Sequence, residues 1–118
     1  SALTAVIGQR LIRKICSNCR RPFKPQRSLL KALDLPATTK TLYRGEGCDE
    51  CYHTGCKGRT GIFEIIEITP EVRKLIASDA SIEKLIETTQ LKSMADRCRL
   101  KVKNGIVSPD EFFRVIRI

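Results

Sequence analysis

Apolar residues recur at Leu3, Val6, Ile7, Leu11 and Ile15, while Gln9, Arg10, Arg13 and Lys14 fall mostly on the other side. This spacing predicts an amphipathic helix with a core-facing stripe that runs into the first cysteine doublet. Residues 22–40 set Pro22, Pro25 and Pro36 around an apolar patch from Leu29 to Leu35, which predicts a single short helix between prolines. Thr41, Leu42 and Tyr43 predict a short strand, and Gly45-Glu46-Gly47 a turn leading to the second doublet. Ile62-Phe63-Glu64-Ile65-Ile66-Glu67-Ile68 reads as a strand with apolar residues on both faces, the best-covered one in the chain.

Beyond residue 68 the period changes to helical. Thr69, Pro70 and Glu71 form a start signal ahead of Val72, Leu75 and Ile76, and a second short helix carries Ile82, Leu85 and Ile86. Ser93 with Asp96 resembles a capping box, after which Met94, Cys98 and Val102 face one way until Asn104-Gly105. Ser108-Pro109-Asp110-Glu111 starts a last helix with Phe112, Val115 and Ile116 on its apolar side. The predicted class is α+β: a small finger with short strands, then a helical cluster.

Two doublets, Cys16-Ser17-Asn18-Cys19 and Cys48-Asp49-Glu50-Cys51, are separated by 28 residues. Paired C-x2-C turns bring four thiolates to one point, the donor set of a structural Zn2+ site, and predict Cys16, Cys19, Cys48 and Cys51 as its ligands. Four sulfurs leave no open position for water, so this metal holds structure and does no chemistry. Arg20 and Arg21, directly after the first doublet, are expected to help keep the thiols ionised. The Pro-rich segment becomes the tip of the finger. His53 and Cys56 stand close enough in sequence to be weighed as substitute ligands; the reading preferred is an exposed finger residue for His53. Cys98 falls on a helical stripe and reads as a small buried hydrophobe.

The 118 residues allow one compact unit with a modest core, which a metal would supplement. The formal charge of +9 favours nucleic acid, anionic lipid or an acidic protein as partner. Aromatics make up only 5 % and tryptophan is absent, so base-stacking platforms are poorly supplied. One histidine and no activated nucleophile argue against a serine or cysteine hydrolase. No apolar run spans a membrane and no signal peptide is visible, so the expectation is a cytoplasmic chain whose cysteines stay reduced. Gly58-Arg59-Thr60-Gly61 runs into a strand, not a helix N-terminus, and is read as a turn, not a phosphate site.

Read together, GQRLIRKICSNC, GCDECYHTGCKGRTGIFEII and the final helices resemble the C-terminal part of the type II secretion and type IV pilus assembly ATPases. The specific feature is the order of QRL-x-R, first doublet, second doublet and GR-x-GI-x-E, and the resemblance covers nearly the whole chain. It implies a RecA-like motor, hexameric, using ATP and Mg2+ at the cytoplasmic face of the bacterial inner membrane. The family's zinc ligands fall on Cys16, Cys19, Cys48 and Cys51. Pilus retraction ATPases look similar but lack the cysteine insertion, so its presence favours an assembly or secretion motor. Cys56 departs from the pattern, because many relatives carry an aromatic residue there.

The resemblance also divides the chain into a last helix of the motor core at 1–15, a finger insertion at 16–57, a returning strand at 58–68 and a helical subdomain at 69–118. No G-x4-G-K-[ST] phosphate loop occurs in the sequence, so ATP hydrolysis is assigned to an upstream part of the parent. Expected partners are that upstream core, neighbouring subunits of a homo-hexamer and inner-membrane platform proteins. The basic cluster Arg10, Arg13, Lys14, Arg20, Arg21, Lys24 and Arg27 is expected to face the platform, anionic headgroups or plain solvent. The alternative function is a zinc-ribbon module that binds nucleic acid through its basic surface.

Overall fold

The computed structural model describes residues 5–67, 70–78 and 94–116. Strand β1 (Ala5–Ile15) pairs antiparallel with β4 (Cys56–Glu67), and β2 (Arg20–Phe23) pairs antiparallel with β3 (Leu42–Gly45). Between β2 and β3 lies helix α1 (Arg27–Leu33), and a 3-10 turn at Asp49–Cys51 precedes β4. Helices α2 (Pro70–Ala77), α3 (Met94–Lys103) and α4 (Pro109–Val115) follow. The class is α+β. No described helix is long and apolar enough to cross a membrane.

The first segment corrects the sequence reading: residues expected to form a helix with an apolar stripe at Leu3, Val6, Ile7, Leu11 and Ile15 are strand over Ala5–Ile15. Two features of β1 imitate a helical period. Arg10 shares a face with Ile12 by register, and its guanidinium is spent on the Val115 carbonyl at 2.6 Å, while Leu11 on the opposite face is half exposed. Ile12 and Ile15 are both buried although three residues apart, Ile12 in the main core cluster and Ile15 outside it, beside the register shift between Arg13↔Arg59 and Ile15↔Cys56.

The extra residue lies on β4, where Gly58 takes φ +81°. Gly58-Arg59-Thr60-Gly61 is therefore bulged strand and not the turn expected of it. Ile62 is buried and Phe63 half exposed, so β4 is covered on one face at this point. The Phe63 ring lies over Gly61, whose added Cβ would meet it at 3.2 Å.

One core joins the ribbon, the segment between the doublets and the C-terminal helices. Ile12 and Ile62 of the β1–β4 ribbon pack in one cluster with Leu30, Leu33 and Leu42 of the segment between the doublets, and with Cys98, Val102, Val107, Phe112 and Val115 of the helical end. The Pro-rich segment is thus folded onto the body and is not a projecting tip. Helix α1 forms between the prolines as expected and stops at Asp34, which adopts φ +57°. Its Leu33 carbonyl accepts from Arg99 Nε of α3 at 2.6 Å, which satisfies a helix-end acceptor from across the core.

The stop signal of α3 and the start signal of α4 hold. Gly105 at φ +76° closes α3, with its N–H on the Val102 carbonyl and Ile106 N–H on that of Lys101. Ser108 Oγ accepts from Glu111 N–H at 3.2 Å, with Pro109 in the first turn of α4. Residues 82–86, the start signals at Thr69 and Ser93, and the stripe side chains of α2 lie outside the described residues and side chains.

The outer edge of β1 is covered by the segment leading into and through α4. Arg13 N–H donates to Glu111 Oε2 at 2.7 Å and Ile15 N–H to the Ile106 carbonyl at 2.9 Å, so these donors are not left open on a strand edge. Glu111 is 4 % exposed and also accepts from Arg114 Nε and Nη2, each at 2.7 Å. Burial pushes this carboxyl up, but the Arg114 and Arg13 donors outweigh it and hold it below its ordinary 4.5.

A folded-state value below the unfolded one means that this contribution is present above about pH 4.5 and is lost as pH falls. Glu111→Gln is expected to cost about 1–3 kcal/mol in urea unfolding at neutral pH. The gap to the parent should close as the buffer is taken below the carboxylate range. A gap that stays constant with pH assigns the loss to packing instead.

Candidate metal centre

The four doublet cysteines come together where the ribbon ends. Cys16 follows β1 directly, Cys19 precedes β2, Cys48 caps the start of the 3-10 turn and Cys51 is its last residue. Their sulfurs all lie within 4.8 Å of one another. The Cys16–Cys48 and Cys19–Cys51 separations are 3.8 Å and the Cys48–Cys51 separation is 3.7 Å. Four bonds of about 2.3 Å at tetrahedral angles put sulfurs about 3.8 Å apart, so the donor set fits a tetrahedral thiolate-bound ion such as Zn2+. A disulfide needs about 2.05 Å, and all six cysteines are free.

Main-chain donors converge on the sulfurs. Gly47 N–H reaches Cys19 Sγ at 3.3 Å, while Cys48 N–H and Gly55 N–H reach Cys51 Sγ at 3.2 and 3.3 Å. Burial pushes the Cys51 thiol up, yet the Cys48 and Gly55 donors, with the Cys48 and Cys19 thiols, bring it down to about 6. Cys19, held mainly by burial and aided by its thiol neighbours, is pushed up to about 11. The Asn18 side chain is the leading cause that lowers Cys48.

Arg20 and Arg21 were expected to support ionisation, but their side chains engage other groups. Arg20 stacks over Tyr43 at 3.7 Å and donates to the Gly105 carbonyl at 2.9 Å; Arg21 pairs with Glu46 at 3.7 Å. Backbone N–H groups and Asn18 do the work the sequence assigned to guanidinium groups.

The second knuckle is built by backbone that few side chains adopt. Tyr52 and His53 sit at φ +54° and +61°, and His53 N–H bonds the Cys48 carbonyl at 2.8 Å. His53 Nε2 turns outward to Asp49 Oδ1 at 3.1 Å, the exposed role expected of it. Neither His53 nor Cys56 belongs to the sulfur cluster. Cys56 is partly buried at the head of β4, and Cys98 is fully buried in the core, where burial and Glu111 push its thiol to about 11.

Gly45 and Gly55 let the two crossings touch. A Cβ on Gly45 would stand 2.1 Å from the Gly55 carbonyl oxygen, and one on Gly55, already at φ +79°, 2.7 Å from that of Gly45. Sequence reading placed Gly45 in a turn but missed this contact, because a long-range approach leaves no local signal. Glu111 was missed likewise: a first-turn acid is ordinary, and its burial against Arg13 and Arg114 is a tertiary fact.

An α+β domain with four thiols gathered between two antiparallel ribbons is the class that fold and site define. The type II/IV secretion system protein model matches residues 1–114, and the chain belongs to that family. It is 34 % identical over 120 residues to a type II secretion system protein E of Pseudomonas aeruginosa, with 99 % of this chain and 24 % of that protein covered. An Aeromonas hydrophila type II secretion system protein E is 39 % identical over 122 residues, covering 99 % of the chain and 24 % of the relative. The type IV pilus assembly ATPase PilB of Acinetobacter baylyi is 37 % identical over 123 residues, covering 98 % and 21 %. The chain spans about a quarter of the length of the curated relatives it matches.

Gly45→Ala is expected to disrupt the site by more than about 3 kcal/mol, since both clashing partners are main chain and cannot step aside. Gly58→Ala meets nothing closer than Lys14 Cε at 3.8 Å and should cost only the left-handed backbone, about 1–2 kcal/mol. Denaturant unfolding and thiol titration of the two variants measure the contrast. Equal stability would show that the Gly45–Gly55 approach is not required.

Proposed function

We propose that this chain is a zinc-stabilised, non-catalytic portion of an ATP-driven secretion or pilus-assembly motor. Cys16, Cys19, Cys48 and Cys51 hold one structural Zn2+, and the domain passes movement of an ATP-hydrolysing core to the machine at the inner membrane. The reading rests on one observation above the rest: four free thiols at tetrahedral spacing, in a family whose members include proteins named as secretion and pilus-assembly ATPases. The fully thiolate donor set favours zinc over oxygen-preferring Mg2+ or Ca2+ and leaves no position for a reacting water. The metal would neutralise sulfurs that cannot all ionise side by side, and so fix both knuckles against the ribbon.

In this reading the division of labour follows the sequence. The finger at 16–57 and the helical end at 69–118 transmit; ATP and Mg2+ are handled by the rest of a homo-hexamer, through a core that β1 and the returning strand at 58–68 join. The partners are that core, neighbouring subunits and platform proteins, and the setting is the cytoplasmic side of a bacterial inner membrane. The family match and the relatives' names support this over a nucleic-acid module.

Protein purified without chelator should carry about one zinc per chain by elemental analysis. Cys51→Ser should lower that ratio severalfold and loosen the fold, because this sulfur receives two main-chain donors. Zinc far below stoichiometric, with all six thiols reacting freely in a chain that stays folded, would overturn the proposal.

A further inference from the structure

The basic cluster of the sequence stays exposed, but folding engages four of its seven members. Arg10, Arg13, Arg20 and Arg21 are bonded to the Val115 carbonyl, Glu111, Gly105 with Tyr43, and Glu46. Lys24 and Arg27 instead join Lys40 around an open hollow of about 870 Å³ between β2–α1 and residues 37–41, floored by Phe23 and Leu30. A neighbouring hollow of about 360 Å³ shares Phe23 and Lys24 and adds Leu29 and Arg44. The two meet at Phe23 and Lys24 as one bent groove.

No carboxylate lines either hollow, and among the described residues no ion pair is made by Lys24, Arg27 or Lys40. Concentrating unpaired cations in a concave place raises the local potential. An apolar floor beneath them adds a second requirement on whatever enters, since it is satisfied only by an apolar side chain. Thr38, Thr39 and Thr41 add hydroxyls along one wall.

We infer that this groove is a docking site for an acidic, extended protein segment that carries an apolar anchor: carboxylates meet Lys24, Arg27, Lys40 and Arg44, and the anchor sits on Phe23 and Leu29. Charge complementarity carries the choice of occupant. Nucleic acid fits less well, because the groove holds one aromatic ring and Arg44 already lies over it at 4.8 Å. A bilayer fits less well because these cations line a hollow, where a flat headgroup layer cannot follow them. Because the groove walls lie between the two cysteine doublets, the inference rests on the metal-centre reading, and zinc content is measured alongside.

The test uses the whole zinc-loaded chain and a short fluorescein-labelled peptide repeating Glu-Asp-Leu, followed by anisotropy. Binding should weaken with salt and fall about tenfold in the double variant Lys24→Glu, Lys40→Glu. Lys74→Glu on α2 should leave it unchanged. The milder pair Lys24→Gln, Lys40→Gln should lie between, and it carries the test if the charge-reversed protein loses its zinc. A parent that binds the Gln-Asn-Leu repeat as tightly, or variants that keep zinc and bind as the parent does, would overturn the inference. So would an oligothymidine or a phosphatidylglycerol vesicle that binds more tightly and displaces the peptide. Loss of zinc in the parent itself would instead count against the metal centre, which separates the two failures.

Discussion

Four sulfur atoms within 4.8 Å of one another are the constraint on which this domain is built. The four thiols are held unequally: burial, with the thiol neighbours adding to it, drives Cys19 up to about 11, while the Cys48 and Gly55 N–H donors outweigh burial and bring Cys51 down to about 6. Left without a cation the set is a compromise; a thiolate-bound ion, as proposed, makes full ionisation favourable and turns crowding into cohesion. The backbone is bent to serve it. Tyr52, His53, Gly47 and Gly55 all take positive φ within one short stretch, a local cost of order 1–3 kcal/mol for each non-glycine that persists only where the surroundings over-determine it.

The sulfur cluster alone does not explain why the finger stays against the body. That is done by a shared apolar core and by Arg20 and Arg99, which reach across segments to main-chain carbonyls, while Arg10 and Glu111 tie β1 to α4 in the same way. Arg20 of β2 bonds the carbonyl closing α3, Arg99 of α3 bonds the end of α1, and Glu111 of α4 takes the Arg13 N–H of β1. Each bond satisfies a backbone group that its own element leaves open, so removing the side chain also strands a polar atom. Gly105 shows how tight this is: a Cβ there would stand 2.2 Å from Arg20 Nη2 and 2.7 Å from the Tyr43 ring.

The doublets and the helix signals of the C-terminal part were legible because they are local. The C-x2-C spacing, the Ser108-to-Glu111 cap and Gly105 as a helix stop are written in nearby residues; the structure gathers the four sulfurs and forms the cap and the stop. Strand β1 was not legible, since its alternation is broken by Arg10, which shares a face with Ile12 and finds a carbonyl, by a half-exposed Leu11, and by the burial of both Ile12 and Ile15. β2 gave no signal either: Arg-Arg-Pro-Phe is a poor strand by composition and forms only because β3 lies beside it. The α+β class followed from the short strands and helical end, while the packing of Leu30, Leu33 and Leu42 with Cys98 and Phe112 needed the tertiary fold.

The same distinction governs the charge. Counting basic residues along the chain put seven of them around the first knuckle, but four are bonded to neighbours within the fold, and only spatial assembly brings Lys40 and Arg44 near Lys24 and Arg27. In the proposed role as part of a motor, the domain has to be stiff inside and adhesive outside. Spending guanidinium groups on main-chain carbonyls and on Glu111 contributes stiffness, since planar, directional donors fix the elements they join. At the groove, Lys24 and Lys40 set mobile ammonium groups beside Arg27 and Arg44, where the proposed acidic segment would be met. Movement delivered to the β1–β4 ribbon would then reach the groove through β1, the sulfur cluster and β2 without a flexible joint between them.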